Sequence, residues 1–343
     1  MTDRPQMARS RQLFELDLQF KKPAGTSKGI LHSRTTWILA EEKEHGIALG
    51  EAGPLSWLSQ ESFGEVRAAG REWEADDSEL SAVPSLRFAQ EMLARDAGDH
   101  ILFPGPFTEG KSSLAINGLV WMGPREEIET QVRSLLAREF QCIKMKVGAA
   151  DWNQELEILR WIRAAEPNVE LRVDANGAWS PAEAKVKLQE LAEAGVKSIE
   201  QPIAPGQPHE LAALCADSPV DVALDEELIR SESPAELLDL VRPAGIVLKP
   251  SLIGGFVVAE NWIELAEARG IYWWATSSLE SGVGLNALAQ WLAQIAGDRI
   301  HGLGTGSLYV ENIESPLVLK GQNLSFDPEK PWNLNLLPGF TGR

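Results

Sequence analysis

From residue 112 onward the sequence alternates short apolar runs with helix-like stretches, and no other feature restricts the fold as much. The runs are SSLAINGLVW (112–121), FQCIKMKVG (140–148), ELRVDANG (170–177), VKSIEQP (196–202), DVALDEE (221–227), AGIVLKP (244–250), IYWWATSSLE (271–280) and RIHGLGTG (299–306). Between them lie segments such as REEIETQVRSLLAREF and DWNQELEILRWIRAA, with leucine and isoleucine at three- and four-residue intervals. Strand–helix alternation of this kind implies parallel pairing with helical crossovers. Eight such runs within about 200 residues predict a closed barrel of the TIM type. A doubly wound sheet is the alternative, but no G-x-G-x-x-G turn follows the first run. Ser180-Pro181-Ala182-Glu183 and Ser233-Pro234-Ala235-Glu236 each read as a capping box with proline at the first helical position. Asp151 with Gln154 is a weaker helix start.

Residues 1–104 follow another pattern. LFELDLQF, TTWILAEE and GIALGEAG read as antiparallel strands, and helices are expected over 61–72 and 83–97. This is an α+β capping domain ahead of a barrel domain at 105–310, with the tail 311–343 expected to return to the first domain. Against 32 basic residues stand 50 acidic ones, a net charge of −18, so a polyanion such as nucleic acid is repelled. No apolar run approaches the roughly 18 residues of a membrane span. MTDRPQMARSRQL lacks the apolar region of a signal peptide, and Cys142 and Cys215 are too few for a disulfide framework. A soluble, cytoplasmic protein is expected.

Alternate residues of a barrel strand face the lumen. In 143–147, Ile143, Met145 and Val147 suit the helix layer, which turns Lys144 and Lys146 inward. By the same alternation Arg172 and Asp174, Glu200, Asp225 and Lys249 point inward from the next four strands. Residues 146, 174, 200, 225 and 249 are 28, 26, 25 and 24 apart, one ionisable group per unit near each strand's C-terminal end. That end is where barrel active sites form. Three carboxylates in so small a volume repel one another, and a divalent cation relieves the repulsion. An all-oxygen donor set favours Mg²⁺, with Mn²⁺ possible, over Zn²⁺. Lys146 beside such an ion suits abstraction of a proton α to a carboxylate, so the expected partner is a small-molecule carboxylate. Lys144, one layer lower, is expected to keep Lys146 deprotonated by repulsion.

The remaining charged and aromatic residues read more blandly. Lys22, Lys28 and Arg34 are expected at the surface, with loop contact to a substrate as the alternative. The five histidines show no metal-ligand spacing, and His301 reads as structural. Trp273 and Trp274 read as packing, with one ring a candidate for the site wall. Gly304-Thr305-Gly306 can offer backbone N–H groups to an anion.

These residues resemble the enolase superfamily, in particular its muconate-lactonizing-like subgroup. The motifs that carry the likeness are GEAGPL (50–55), K-x-K at 144–146, RVDANGAW, IEQP, ALDEE and VLKP. The resemblance implies a modified (β/α)₇β barrel with an N-terminal α+β cap. It implies Lys146 as acid/base, Lys249 as its partner on the sixth strand, and Asp174, Glu200 and Asp225 as ligands of Mg²⁺. Within the subgroup, RVDANGAW, SSLESGVGL (277–285) and GLGTG are similar to the dehydratases of menaquinone synthesis. That likeness places a substrate carboxylate on Ser277, Ser278, Gly304 and Thr305. Lys144 and Asn176 complete the substrate-binding set, and the loop 21–31 closes over the ligand. Racemases and epimerases of acylated amino acids or dipeptides on the same scaffold are the alternative. HGLGTGSLY on strand eight lacks the Asp-x-Asp of the dipeptide epimerases, and WWATSSLESG lacks the histidine base of mandelate-racemase-like members.

Overall fold

The computed structural model describes residues 10–26, 29–76, 78–80 and 82–339. The chain opens on an antiparallel sheet of β1 (Arg11–Thr26), β2 (Gly29–Lys43) and β3 (Gly46–Ala52), in the order β1-β2-β3. Helices Phe63–Asp76 and Pro84–Arg95 follow, as the sequence predicts. The two-residue strand period sorts the sheet's faces. Trp37 and Leu39 pack with Val66, Trp73 and Leu86, whereas Ile38 and Ala40 join the main core. Both faces are therefore buried, which is why this stretch reads as the unbroken apolar run WILA.

The first run of the repeat divides into β4 (Ser113–Ala115) and β5 (Gly118–Val120). Then come β6 (Cys142–Lys146), β7 (Glu170–Asp174), β8 (Ser198–Glu200), β9 (Asp221–Leu224), β10 (Gly245–Leu248) and β11 (Tyr272–Ala275). Strands β5 to β11 lie side by side in sequence order, all parallel. A longer helix crosses over after each, the last being Gly282–Ile295. The eighth run forms no full strand, because GLGTG is poor in the branched side chains that favour one. It closes the barrel by single parallel bridges, Ile116 to His301 and Thr276 to Gly302. The result is the (β/α)₇β barrel with an N-terminal α+β cap.

The tail forms a hairpin of β12 (Leu317–Lys320) and β13 (Asn323–Phe326), and β13 pairs antiparallel with β4. Further on, the Trp332 ring lies 4.7 Å from the His100 ring. Among the described residues no helix is long and apolar enough to cross a membrane.

The helix starts differ from one another. Ser180 makes the full capping box with Glu183, and the Asp151 side chain accepts from the Gln154 N–H. Ser233 makes no side-chain cap, contrary to the sequence reading. Its ψ of 79° differs from the 159° of Ser180, which aims the hydroxyl at the third helical N–H. Ser180→Ala should therefore lower unfolding free energy by about 1 kcal/mol. Ser233→Ala should leave it nearly unchanged; equal urea midpoints for the two variants would contradict this.

Candidate active site

Strand register sets the height of each charged side chain in the lumen. Lys146 pairs with Asp174 and Asp174 with Glu200, so these three stand level. Glu200 pairs with Ala223, and Asp225 follows two residues beyond it at the end of β9. Lys249 is the residue after β10. One layer down lie Lys144, Arg172 and Ser198. Below the charged layer Ala223, Val247 and Trp274 form an apolar cluster, with the Arg172 guanidinium 4.8 Å from the Trp274 ring. Trp274 is thus lumen floor, while the Trp273 indole N–H donates to Glu267 in the helix layer.

Oxygens of Asp174, Glu200 and Asp225 all lie within 4.8 Å of one another, and the three residues are at most 2% exposed. Ammonium groups surround them. Lys144 Nζ contacts Glu200 Oε2 and lies 2.9 Å from Asp174 Oδ2. Lys146 Nζ is 2.5 Å from Asp174 Oδ2, and Lys249 Nζ contacts Asp225 Oδ2. Burial alone would push the Asp174 carboxyl up, but Lys144, Lys146 and Lys249 outweigh it and hold the group well below the usual carboxylate range. Glu200 is pushed up by burial and by the charge of Asp174 beside it. Burial disfavours the Lys144 ammonium, yet Asp174 and Glu200 overcome that and raise its pKa. Lys144 therefore spends its charge on the carboxylates.

The carboxylate trio fits a divalent cation. Its donors are all oxygen, and Glu200 Oε1 is buried with no hydrogen-bond partner, a donor left over after the lysines are satisfied. The three residues can hold a metal ion; the donor chemistry points to a hard one.

Above them is a cavity of about 300 Å³, lined by Lys144, Lys146, Asn176 and Lys249 on one side and by Ser277, Ser278, Gly304 and Thr305 on another. Every residue assigned to substrate binding from the sequence reaches this wall. Leu55, Trp57 and Leu58, just after β3, close it from the cap. Residues 21–26 and 29–31, expected as a loop, belong to the paired strands β1 and β2; Leu31 lines the cavity, Lys22 is exposed, and Ser27 and Lys28 lie outside the described residues. Arg34, expected at the surface, is buried at 4% exposure. Its guanidinium donates to the carbonyls of Gly53 and Pro54 and so fixes the segment that leads to Leu55.

Two acids escaped the sequence reading. Glu280 accepts from Ser277 Oγ (2.5 Å), Ser278 Oγ (2.7 Å), Ser278 N (2.9 Å) and Ser251 Oγ (2.5 Å). Ser277 Oγ in turn accepts from Thr305 Oγ1 and the Leu279 N–H. The hydroxyl protons thus face Glu280 rather than the cavity. Glu226, next to Asp225, lines the cavity and accepts from the Asn176 amide. Neither acid lies on a strand's alternation, so periodicity could not find it; the SSLES and DEE wording was the only signal.

His301 is fully buried, and its Nδ1 accepts from the Ala275 N–H. Burial, with Arg172 and Arg299 nearby, pushes its pKa down to about 3. The ring stays neutral in the fold while the unfolded chain binds a proton below its ordinary value. Its contribution is therefore present above pH 6.5 and lost as pH falls toward 3, by about 1.4 kcal/mol per unit. His301→Asn, which keeps an acceptor for Ala275, should flatten the fall in unfolding free energy between pH 6 and 4, measured against wild type. An unchanged slope would contradict the buried neutral imidazole.

The family described as Enolase C-terminal domain-like matches residues 127–329. An o-succinylbenzoate synthase of Desulfotalea psychrophila is 40% identical over 89% of this chain and 95% of its own length. A solved MenC structure from the same organism superposes with TM-score 0.78 at 36% identity, covering 92% of this chain and 99% of that one. The L-Ala-D/L-Glu epimerase of Bacillus subtilis reaches TM-score 0.80 over 94% and 96% of the two chains, but at 20% identity this shows the shared fold alone.

Proposed function

We propose a function from one premise: the chain belongs to the enolase superfamily, and within it to the o-succinylbenzoate synthases. It is a carbon–oxygen lyase that dehydrates 2-succinyl-6-hydroxy-2,4-cyclohexadiene-1-carboxylate to o-succinylbenzoate, a step of menaquinone synthesis. The observation that carries this reading is the convergence of Lys146, Lys249 and three buried carboxylates beneath one cavity of about 300 Å³.

Asp174, Glu200 and Asp225 would hold the divalent ion, read as Mg²⁺ with Mn²⁺ as a substitute. When bound, the ion supplies positive charge against the carboxylate of a substrate losing its α-proton. Lys146 reaches the cavity with its side chain 14% exposed, the most accessible of the three lumen lysines. Its neutral amine takes the proton from the ring carbon bearing the carboxylate, and the electron pair moves into that carboxylate. The ammonium so formed returns the proton to the departing ring hydroxyl; water leaves, and the ring becomes aromatic. Taking and returning the proton with one group places both events on one face of the ring. Lys249 adds a second positive charge at the cavity. Leu55, Trp57, Leu58 and Leu31 cover the ring and exclude water.

The alternative of an N-succinylamino-acid racemase or dipeptide epimerase uses the same base and ligands. The lining residues Gly302, Gly304 and Thr305 on the eighth segment offer no acid for a substrate ammonium, which disfavours the epimerase. Purified protein with Mg²⁺ and the cyclohexadiene should give the aromatic product by absorbance. Racemisation of N-succinyl amino acids without that product would overturn the reading. Lys146→Ala should lower turnover at least ~10²-fold with Mg²⁺ affinity retained. Asp225→Asn should weaken Mg²⁺ binding and turnover together, as calorimetry and the same assay would show.

A further inference from the structure

Glu226 is neither a member of the carboxylate trio nor bonded to a lysine, yet it is 6% exposed and lines the cavity. We propose that Glu226 and Asn176 form a polarity relay that aims the Lys146 amine at the substrate. The inference deepens the proposed function and rests on Lys146 being the base.

Asn176 is held by its backbone before its side chain acts. It sits at φ 46°, with Gly177 at φ 69°, a left-handed turn that asparagine and glycine tolerate. A Cβ on Gly177 would lie 2.8 Å from Ala204 Cα, so the turn has no room to relax. The Asn176 N–H donates to Asp174 Oδ1 at 2.9 Å. From this fixed turn the amide spans two neighbours. Its Nδ2 donates to Glu226 Oε1 at 2.9 Å, and its Oδ1 accepts from Lys146 Nζ at 2.7 Å.

An amide can turn over and exchange its oxygen and nitrogen at little cost. Glu226 Oε1 accepts from the amide, which sets one orientation, with the NH₂ toward Glu226 and the oxygen toward Lys146. Lys146 Nζ then meets two acceptors, Asp174 Oδ2 at 2.5 Å and Asn176 Oδ1 at 2.7 Å. A neutral amine has two hydrogens and one lone pair. In either charge state two N–H groups point at these acceptors, and the remaining tetrahedral direction, a hydrogen in the ammonium and the lone pair in the amine, opens into the cavity that Lys146 lines. An overturned amide would instead offer a hydrogen to that lone pair and hold it away from the substrate. Glu226 and Asn176 are thus positioning residues that act through Lys146.

The test is a swap of hydrogen-bond polarity. Glu226→Gln keeps the shape but no longer forbids the overturned amide. It should lower kcat by roughly 10- to 100-fold, the cost of a misdirected base, with KM and Mg²⁺ affinity little changed. Adding Asn176→Asp restores the order: the new amide at 226 donates to the new carboxylate at 176, whose other oxygen again accepts from Lys146. The double variant should recover about tenfold of the lost kcat, a gain that two independent structural defects would not give. The relay is overturned if Glu226→Gln turns over like wild type, if it loses Mg²⁺ binding in step with kcat, or if the double variant is no faster than the single one. Lys146→Ala separates the two levels. If it stays active, the assignment of the base fails; if it is inactive while Glu226→Gln is unimpaired, only the relay fails.

Discussion

Mutual repulsion among Asp174, Glu200 and Asp225 is the constraint that organises this protein. Brought within 4.8 Å of one another at almost no exposure, three carboxylates are tolerated only with compensating positive charge. Lys144 and Lys146 from β6 and Lys249 from the end of β10 supply it. Parallel register makes the arrangement possible, because it holds equivalent positions of successive strands level while the helices outside take the apolar faces. The lysine pair of the second strand is therefore no defect in a core strand. It faces a lumen whose carboxylates it neutralises.

The cap is joined to this centre by buried polar contacts. Glu51 of β3 accepts from Ser281 N (2.8 Å), Ser281 Oγ (2.6 Å) and Gly284 N (2.7 Å), all at the start of the helix Gly282–Ile295. The positive end of that helix and its free N–H groups suit a carboxylate, although burial still pushes the Glu51 pKa up. Ser281 follows Glu280, which orders the hydroxyls of Ser277 and Ser278. Two sets of hydrogen bonds, joined by the Glu280–Ser281 peptide link, thus connect the first domain's sheet to the cavity wall. Arg34 fixes the segment between β3 and Leu55 from the other side. The apolar roof and the polar wall are held by the same junction.

Much of this was legible in the sequence, and the reason is periodicity. Alternation of two within strands and a spacing near 25 residues between them fixed both the fold and the inward direction of Lys146, Asp174, Glu200, Asp225 and Lys249. Where the pattern stops, so did the reading. Glu226 and Glu280 lie past strand ends, where no alternation says which way a side chain turns. Arg34 is an inward charge on a strand whose partner carbonyls, Gly53 and Pro54, come from a later segment. The pairing of the tail hairpin with β4 depends on a contact across some 200 residues that local patterns do not encode. Ser233 carries the same wording as Ser180 but a different backbone angle.

Three buried carboxylates this close together should clasp one ion. Anomalous diffraction from crystals grown with Mn²⁺ tests this most directly. One strong peak is expected within coordination distance of an oxygen of each of Asp174, Glu200 and Asp225. A peak elsewhere, or one that reaches only two of the three, would contradict it.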